Sequence, residues 1–570
     1  MTTAGAVAVL GCLAYGVAGL RLEVTRRDAD SNVLAGRAPG SSDELIASSS
    51  NGLQQVVKNR GFNAFYTANI TLGGIELPVV IDSGSPDLWV VTHEEIPAAF
   101  LSDVQADITY GSGKVGGVIA YAPFSIGSRE VKNQAFISVT DASGADQLLN
   151  NGAKGLLGLG FNMPAVGINR ALATTLGPDN MLETNPVATI FSQDAILPRF
   201  FTTLFGRAED ALAGPVGGDG VLTVGEYVNG MEKVADAPKL RRFIPHGEEF
   251  EAKPRWTALL EGILVHGRQI SVHSAFVDVP TTDRASALLD TGTTLSAVPS
   301  YIAEEIYGRM DGAFLAENLG GAGRKDWVLP CDAVVDVSLV FGGQQFPVHP
   351  LDLSRPKIVN VDGEEPRTVC VGTYEANDKL PEYGMDMLFG GSFLLNTYTS
   401  FSFGDIEGPF MQLLSITDPE QARVEFTTRR REELARLPLE LSRAEVMQLL
   451  NLSPDDHAPG SPPKDPAPAN AAPDDAAPDD TTPTTKTTSS VLDGEAPNAA
   501  PEDVLMLGGG ELQAGDSPWD VHGVSSLRLG FFMLCVAVLG AATFILVRRR
   551  QGRKTQNALP THVAGWKRDD

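Results

Sequence analysis

The chain has 570 residues, enough for more than one domain, and 43% of them are hydrophobic, which is typical of a globular protein. Seventy-one acidic residues against 44 Lys and Arg give a formal charge of −27, and so acidic a chain is not expected to bind nucleic acid. The acidic balance fits both a surface adapted to an acidic compartment and an ordinary solvated surface.

The N-terminal part contains two segments that we expect to be removed. Residues 1–20 are apolar and rich in small side chains, which predicts a secretory signal peptide although the usual basic start is missing. Residues 21–60 are polar and contain the basic pair Arg26-Arg27. This composition fits a flexible N-terminus as well as a pro-segment. We interpret it as a pro-segment that is cut between Arg27 and Gly61.

Residues 61–428 consist of short apolar runs broken by Gly, Asn, Asp and Pro. Alternation and β-branched residues over such short lengths are typical of strands, and their number predicts a mostly-β domain. A helical pattern follows Pro299. Asn69 begins an N-glycosylation sequon, which agrees with secretion.

The C-terminal part changes composition twice before a long apolar run. Residues 429–452 have a helical pattern with a capping box at Ser442 and Glu445, and this extension either packs on the globular part or begins a stalk. Residues 453–526 are dominated by Pro, Ala, Asp and Thr, which cannot bury enough apolar surface to fold. We therefore predict a disordered stalk there.

Residues 529–547 form an uncharged apolar run long enough to cross a bilayer as one helix. Basic residues follow at once and place the tail, residues 548–570, in the cytoplasm. The sequence therefore predicts a single-pass type I membrane protein. Its folded region would be extracellular or in the lumen of a secretory or vacuolar compartment.

Two segments of the β-rich region resemble each other. In each, an apolar run ends in Asp, a hydroxyl residue, Gly and another hydroxyl residue, and the two are Asp82-Ser83-Gly84-Ser85 and Asp290-Thr291-Gly292-Thr293. Each is followed at a distance by two apolar residues and Gly, at 156–158 and 388–390. A single Asp-Ser-Gly is a common turn. The doubled arrangement indicates an internal duplication with one Asp from each half.

Two neighbouring carboxyl groups cannot both ionise cheaply, so one keeps a proton and their apparent pKa values separate. Of Asp82 and Asp290, the ionised one then takes a proton from a bound water while the protonated one donates to the peptide carbonyl. The glycines allow the turns to approach each other, and the hydroxyls orient the carboxyl groups. This chemistry needs no metal and no cofactor.

On these motifs, residues 61–428 resemble the pepsin-like aspartic peptidases and look similar to the fungal members. The resemblance implies a bilobal, mostly-β fold, with an N-lobe at about 61–240, a C-lobe at about 241–428 and an active-site cleft between them. It also implies a monomeric endopeptidase that cuts protein or peptide substrates at acidic pH and is inhibited by pepstatin.

The resemblance assigns roles to individual residues. Asp82 and Asp290 are the catalytic pair. The side chains that support the pair are Ser83, Ser85, Thr291 and Trp89. The substrate-binding residues are Gly84, Gly292 and Thr293 together with Tyr110, Gly111 and Ser112, the last three in a hairpin flap that closes over the substrate.

Of the four cysteines, two lie in the apolar terminal segments, so Cys331 and Cys370 are either one disulfide or two buried thiols. The resemblance implies the disulfide. Two departures from the family pattern concern the substrate. Ala153-Lys154 replace an aromatic and an acid, which puts the usual hydrophobic specificity in doubt. Lys114 after the flap fits either a preference for an acidic substrate residue or a solvated charge, and we interpret it as a solvated charge.

Two other functions are compatible with parts of the sequence. One is a catalytically inactive pepsin-like binding protein on the cell surface, and the other is a structural wall protein carried on the stalk. Inactive relatives usually lose one Asp or its Gly, whereas both motifs are intact here. The paired motifs therefore favour the endopeptidase.

Overall fold

Short apolar runs between turn residues form strands almost throughout the folded region. The computed structural model describes residues 20–23, 25–28, 64–92, 95–97, 99–110, 113–143, 145–207, 220–281, 283–317, 319, 325–359, 365–450 and 504–505. The predicted signal peptide except Leu20, most of the pro-segment, nearly all of the stalk and the predicted membrane helix lie outside these ranges.

The elements are numbered in chain order. The strands are β1 Leu20–Glu23, β2 Thr25–Asp28, β3 Ala64–Leu72, β4 Ile75–Asp82, β5 Leu88–Val90, β6 Phe100–Tyr110, β7 Gly113–Ile126, β8 Arg129–Asp141, β9 Gly155–Gly158, β10 Phe200–Phe205, β11 Gly220–Val224, β12 Leu240–Arg241, β13 Thr257–Leu260, β14 Gly262–Val265, β15 Arg268–Ile270, β16 Ala285–Leu289, β17 Ser296–Val298, β18 Phe314–Glu317, β19 Lys325–Leu329, β20 Val337–Phe341, β21 Gln344–Val348, β22 Ser354–Val359, β23 Arg367–Gly372, β24 Tyr374–Ala376, β25 Met387–Phe389, β26 Thr397–Asp405, β27 Gly408–Ser415 and β28 Val504–Leu505. The helices are α1 Asp146–Asn150, α2 Gly167–Leu176, α3 Pro186–Gln193, α4 Glu248–Glu251, α5 Ser300–Tyr307, α6 Gly391–Leu394, α7 Pro419–Leu434 and α8 Arg443–Leu449. Short 3-10 turns cover Pro178–Asn180, Glu232–Asp236, Pro350–Asp352 and Leu380–Tyr383.

The first half of the folded region is built on a nine-stranded sheet in the order β2-β3-β4-β9-β5-β8-β7-β6-β28. Strand β4 pairs antiparallel with β3 and parallel with β9, and β5 pairs antiparallel with β9. Strands β6 and β7 form the hairpin that was predicted to be the flap. Its two tip residues, Gly111 and Ser112, lie outside the described residues.

The second half repeats this arrangement. Strand β16 pairs antiparallel with β13 and parallel with β25, and β17 pairs antiparallel with β25. Two further sheets complete this half, in the orders β15-β14-β20-β21 and β18-β19-β23-β22. The same strand pairing around both motifs supports the internal duplication inferred from the sequence.

A six-stranded sheet in the order β1-β11-β10-β26-β27-β12 joins the two halves. Strands β10 and β26 pair antiparallel, with Phe201 opposite Phe401 and the two rings stacked 4.7 Å apart. Trp256 packs edge-on against Phe401 at 5.3 Å. Such aromatic pairs contribute about 0.5–1.5 kcal/mol each beyond their buried area. The buried core is therefore continuous from one half to the other.

The mostly-β fold is confirmed, and so is a disulfide bond, which joins Cys331 to Cys370. The helix predicted after Pro299 is α5. Within the described ranges no helix is long and apolar enough to cross a membrane.

The boundaries of the C-terminal helical extension differ from the prediction of one helical segment at 429–452. Helix α7 already begins at Pro419, because Asp418 accepts hydrogen bonds from the backbone N–H groups of Glu420 and Gln421. It ends before Pro438, and α8 is a separate helix that starts at the predicted capping box.

Helix α7 packs on the second half of the folded region instead of beginning a stalk. Its Arg430 is 1% exposed and donates 2.8 Å to the carbonyl of Ser354 and 3.4 Å to the carbonyl of Cys331. Phe426 on the same face is also buried. The extension is thereby attached next to the disulfide.

Candidate active site

Two strand ends bring Asp82 and Asp290 together. Strand β4 ends at Asp82, and β16 ends one residue before Asp290. Both side chains have no exposed surface in this conformation, and their carboxyl groups are hydrogen-bonded to each other. Residues 208 positions apart in the sequence therefore form one buried pair at the meeting point of the two halves.

The two carboxyl groups have matching hydrogen-bond partners. Oδ1 of Asp82 accepts from the N–H of Gly84 at 2.7 Å, and its Oδ2 accepts from the Ser85 hydroxyl. Oδ1 of Asp290 accepts from the N–H of Gly292 at 2.9 Å, and its Oδ2 accepts from the Thr293 hydroxyl at 2.7 Å. Each Asp is thus oriented by its own motif.

Ser83 and Thr291 bind across the boundary between the halves. The Ser83 N–H donates to the Thr291 hydroxyl at 2.9 Å, and the Thr291 N–H donates to the Ser83 hydroxyl at 3.0 Å. The same hydroxyls donate onward, Ser83 to the carbonyl of Leu289 and Thr291 to the carbonyl of Ile81, each at 2.9 Å. These four bonds fix the separation of the two aspartates.

Glycine is required at Gly84 and Gly292 because each faces the opposite aspartate. A Cβ at Gly84 would lie 2.6 Å from Oδ2 of Asp290, and a Cβ at Gly292 would overlap Oδ1 of Asp82. Any side chain at either position would therefore separate the carboxyl groups.

Burial raises the pKa of both aspartates. The pKa of Asp82 lies well above its usual value because of desolvation and, next, because of the negative charge of Asp290. The pKa of Asp290 is also raised by desolvation, whereas the hydrogen bond from Asp82, those within its motif and the charge of Arg255 act in the opposite direction. The pair therefore holds one proton, and it can act as acid and base at once.

The flap contributes a hydrogen-bonded chain that ends at Asp82. Trp89 Nε1 donates 2.7 Å to the hydroxyl of Tyr110, which is also bonded to the Ser85 hydroxyl. Since Ser85 uses its own hydrogen toward Asp82, the Tyr110 hydroxyl donates to Ser85. The position of the flap strand is thereby coupled to the orientation of the Asp82 carboxyl group.

Other predicted residues lie farther from the pair. Lys114 forms an ion pair with Asp107 at 3.3 Å on the exposed flap, in agreement with its interpretation as a solvated charge. The side chain of Asn69 is exposed on β3, where it donates to Glu76 at 2.7 Å. Within the described ranges no group of three or more His, Cys, Asp or Glu side chains is arranged to hold a metal ion.

Sequence reasoning missed two charged residues beside the pair. Asp87 is buried on the loop that follows Asp82, and its charge reaches Tyr110. Arg255 is buried next to β13, and its charge reaches Asp290. The sequence does contain a signal for Arg255, because Arg255-Trp-Thr-Ala258 repeats the pattern of Phe65-Tyr-Thr-Ala68.

Comparison with known proteins agrees with the resemblance to the aspartic peptidases. Residues 65–216 and 244–410, together more than half of the chain, match the family model of the eukaryotic aspartyl proteases. The chain is 26% identical over 372 residues to "Major aspartyl peptidase 1" of Cryptococcus neoformans var. grubii, which covers 62% of this chain and 70% of that protein. It is 25% identical over 368 residues to "Rhizopuspepsin-4" of Rhizopus niveus, covering 61% and 77%. It is 24% identical over 367 residues to "Vacuolar protease A" of Arthroderma otae, covering 60% and 76%.

Proposed function

Because this chain belongs to the eukaryotic aspartyl protease family, we propose that its aspartic endopeptidase activity is carried by Asp82 and Asp290 acting on a water between them. The observation that supports this assignment is the hydrogen bond between two fully buried carboxyl groups with raised pKa values. Such a pair supplies a general base and a general acid in the same site.

The two carboxyl groups have different roles in peptide hydrolysis. The ionised one removes a proton from the water, which attacks the carbonyl carbon of the peptide, while the protonated one donates to the carbonyl oxygen. The tetrahedral intermediate then breaks its C–N bond: the leaving nitrogen takes the proton that the base received from water, and the other carboxylate takes a proton from a hydroxyl of the intermediate. The pair thereby holds a single proton again. Substrate lies under the flap residues Tyr110, Gly111 and Ser112 and against the turns at Gly84 and at Gly292-Thr293.

The activity is confined to acidic pH, because the pair works only while it holds a single proton. Loss of that proton removes the acid that donates to the carbonyl oxygen. Since burial raises the pKa of both groups, the rate falls as the pH rises through the higher of the two pKa values. Pepstatin is expected to inhibit, and the enzyme acts as a monomer on proteins or peptides.

The test is hydrolysis of a denatured protein by the purified, processed protein from acidic to neutral pH, with and without pepstatin. Asp82→Asn and Asp290→Asn are each expected to abolish acid-dependent cleavage. Asp179→Asn is the matched control, because it makes the same chemical change at an exposed position. Full cleavage by either motif variant would refute the assignment of the catalytic pair.

The apolar run at residues 529–547 supports a second part of the proposal, a single-pass type I anchor. The peptidase domain then stands on the extracellular or lumenal side, at the end of the stalk 453–526. Fractionation tests this arrangement. The full chain should stay in the membrane pellet after alkaline carbonate, whereas a chain ending at residue 526 should be soluble. Release of the full chain by carbonate would contradict the anchor.

Two modifications belong to the same proposal. The exposed Asn69 is N-glycosylated, so Asn69→Gln should remove an endoglycosidase-sensitive increase in mass. The pro-segment is cut between Arg27 and Gly61, and this cut is needed for activity. Strands β1 and β2 begin that segment and pair with β11 and β3. A precursor that is fully active without the cut would refute the requirement.

A further inference from the structure

The two halves of the duplication differ at the residue opposite each catalytic aspartate. In the β3–β4 ladder Thr67 pairs with Val80, so the register continued by two residues places Phe65 opposite Asp82. In the β13–β16 ladder Thr257 pairs with Leu288, and the same continuation places Arg255 opposite Asp290. An apolar ring in one half therefore corresponds to a permanent cation in the other.

Arg255 is held firmly in this position. Its side chain is 5% exposed, and Nη1 donates 2.9 Å to the carbonyl of Tyr383. The neighbouring Trp256 accepts from the N–H of Leu289 at 3.0 Å and donates to the carbonyl of Leu159 at 3.0 Å. Residues directly opposite each other in an antiparallel pair carry their side chains on the same face of the sheet, so Arg255 lies on the face of Asp290.

The difference between the halves matters because the two carboxyl groups have equivalent hydrogen bonds within their own motifs. Each accepts one bond from a glycine N–H and one from a hydroxyl, so these bonds do not decide which group ionises first. Desolvation raises the pKa of Asp290, and hydrogen bonds from Asp82 and from its own motif lower it, as does the charge of Arg255. Desolvation and the charge of Asp290 both raise the pKa of Asp82. Phe65 supplies no charge at the corresponding position.

We propose that Arg255 is a positioning residue that keeps the negative charge of the resting pair on Asp290 and the shared proton on Asp82. Asp290 is then the base that activates water, and Asp82 is the acid that donates to the carbonyl oxygen. This inference rests on the catalytic pair proposed above. Two further titratable groups, Tyr110 and Asp87, lie on the Asp82 side, where the charges of Asp82 and Asp87 both act on Tyr110.

The test is the pH dependence of kcat/KM for a quenched peptide, measured on the processed protein. Arg255→Gln keeps a hydrogen-bond donor toward Tyr383 but removes the charge, and Arg255→Lys keeps the charge. We expect both limbs of the profile to move to higher pH by about one unit in Arg255→Gln, so that kcat/KM on the acid side falls about tenfold. Arg255→Lys should restore the wild-type midpoints.

Phe65→Met is the matched control, because it alters the corresponding position without changing charge, and its midpoints should equal those of the wild type. Tryptophan fluorescence checks folding, and Arg255→Met replaces Arg255→Gln if the latter does not fold. Wild-type midpoints in an active neutral variant would overturn the role of Arg255, and so would an equal movement in Arg255→Lys. Activity in Asp82→Asn or Asp290→Asn would instead refute the pair itself.

A second measurement identifies which aspartate Arg255 acts on. In protein labelled with ¹³C at the Asp carboxyl carbon, Asp82→Asn leaves Asp290 to titrate alone, and Asp290→Asn leaves Asp82. Adding Arg255→Gln should raise the pKa of the remaining Asp290 more than that of the remaining Asp82. An equal or reversed effect would refute the proposed location of the charge.

Discussion

Asp87 is a buried carboxyl group whose ionisation should weaken the folded state near neutral pH. Its side chain is 1% exposed, and Oδ2 accepts a bond of 3.3 Å from the N–H of Ile168 at the start of α2. Its Oδ1 has no hydrogen-bond partner within the part of the chain that the structure describes. Burial raises the pKa of Asp87 to about 6, although hydrogen bonds from Thr184 and Ile168 act against it.

The raised pKa of Asp87 determines how the stability of the folded state changes with pH. The pKa of Asp87 is higher in the folded than in the unfolded chain, so the folded state binds the proton more tightly. The stability supplied by that proton is complete below about pH 4 and is lost as the pH rises through about 6. A pKa difference of about 2, at 1.36 kcal/mol for each unit, corresponds to roughly 3 kcal/mol.

Asp87→Asn keeps the shape of the side chain but does not titrate, so it should remove this pH dependence. Urea titrations at several pH values between 4 and 7 would compare proteins that differ only at position 87, both carrying Asp290→Asn so that neither digests itself. The advantage of Asp87→Asn in free energy of unfolding should grow by about 3 kcal/mol over this range. Asp179→Asn, an exposed control, should follow the parent protein, and parallel curves for all three would refute the reasoning.

Three further perturbations test the contacts that hold the site and the C-terminal helices. Replacing Cys331 and Cys370 by Ser should lower the free energy of unfolding by about 4 kcal/mol, because the disulfide closes a loop with a sequence separation of 39 residues. The urea midpoint of this variant should be lower than that of the wild type and should match the wild type after reduction. Ser83→Ala removes the acceptor of the Thr291 N–H, so it should lower the free energy of unfolding by about 1–3 kcal/mol and reduce kcat. Ser83→Thr keeps a hydroxyl and should retain activity. An unchanged kcat in Ser83→Ala would count against a role of the cross-lobe bonds in catalysis. Arg430→Ala should speed amide hydrogen exchange in α7 at least tenfold, equivalent to about 1.4 kcal/mol, because the helix loses its buried hydrogen bond to the carbonyl of Ser354. Unchanged exchange would show that other contacts hold the helix.

The parts of the fold that were predictable are those with a short-range signal. An apolar strand followed by Asp, a hydroxyl residue and Gly indicates a buried turn from a few residues alone, and its repetition identified Asp82 and Asp290 as partners. The capping box at Ser442 likewise marked the start of α8. The start of α7 was missed although Asp418 and Pro419 are a local helix signal, because the prediction extended the strand-rich texture through residue 428.

The residues that sequence reasoning missed depend on long-range pairing. Asp87 looks in the sequence like an ordinary turn residue, and the repeated pattern around Arg255 does not show which residue it faces. Only the strand register shows that Arg255 lies opposite Asp290, and only the packing of α2 shows that the Asp87 side chain is buried. Charges of this kind alter a site through burial, and burial is a property of the assembled fold.

The cross-lobe bonds between Ser83 and Thr291 also set the earliest point during synthesis at which the catalytic pair can assemble. The two residues are 208 positions apart, so at about 5–20 residues per second the second one leaves the ribosome roughly 10–40 s after the first. Until then the growing chain carries one aspartate without its partner. A chain that stops before Thr291 therefore contains no assembled catalytic pair.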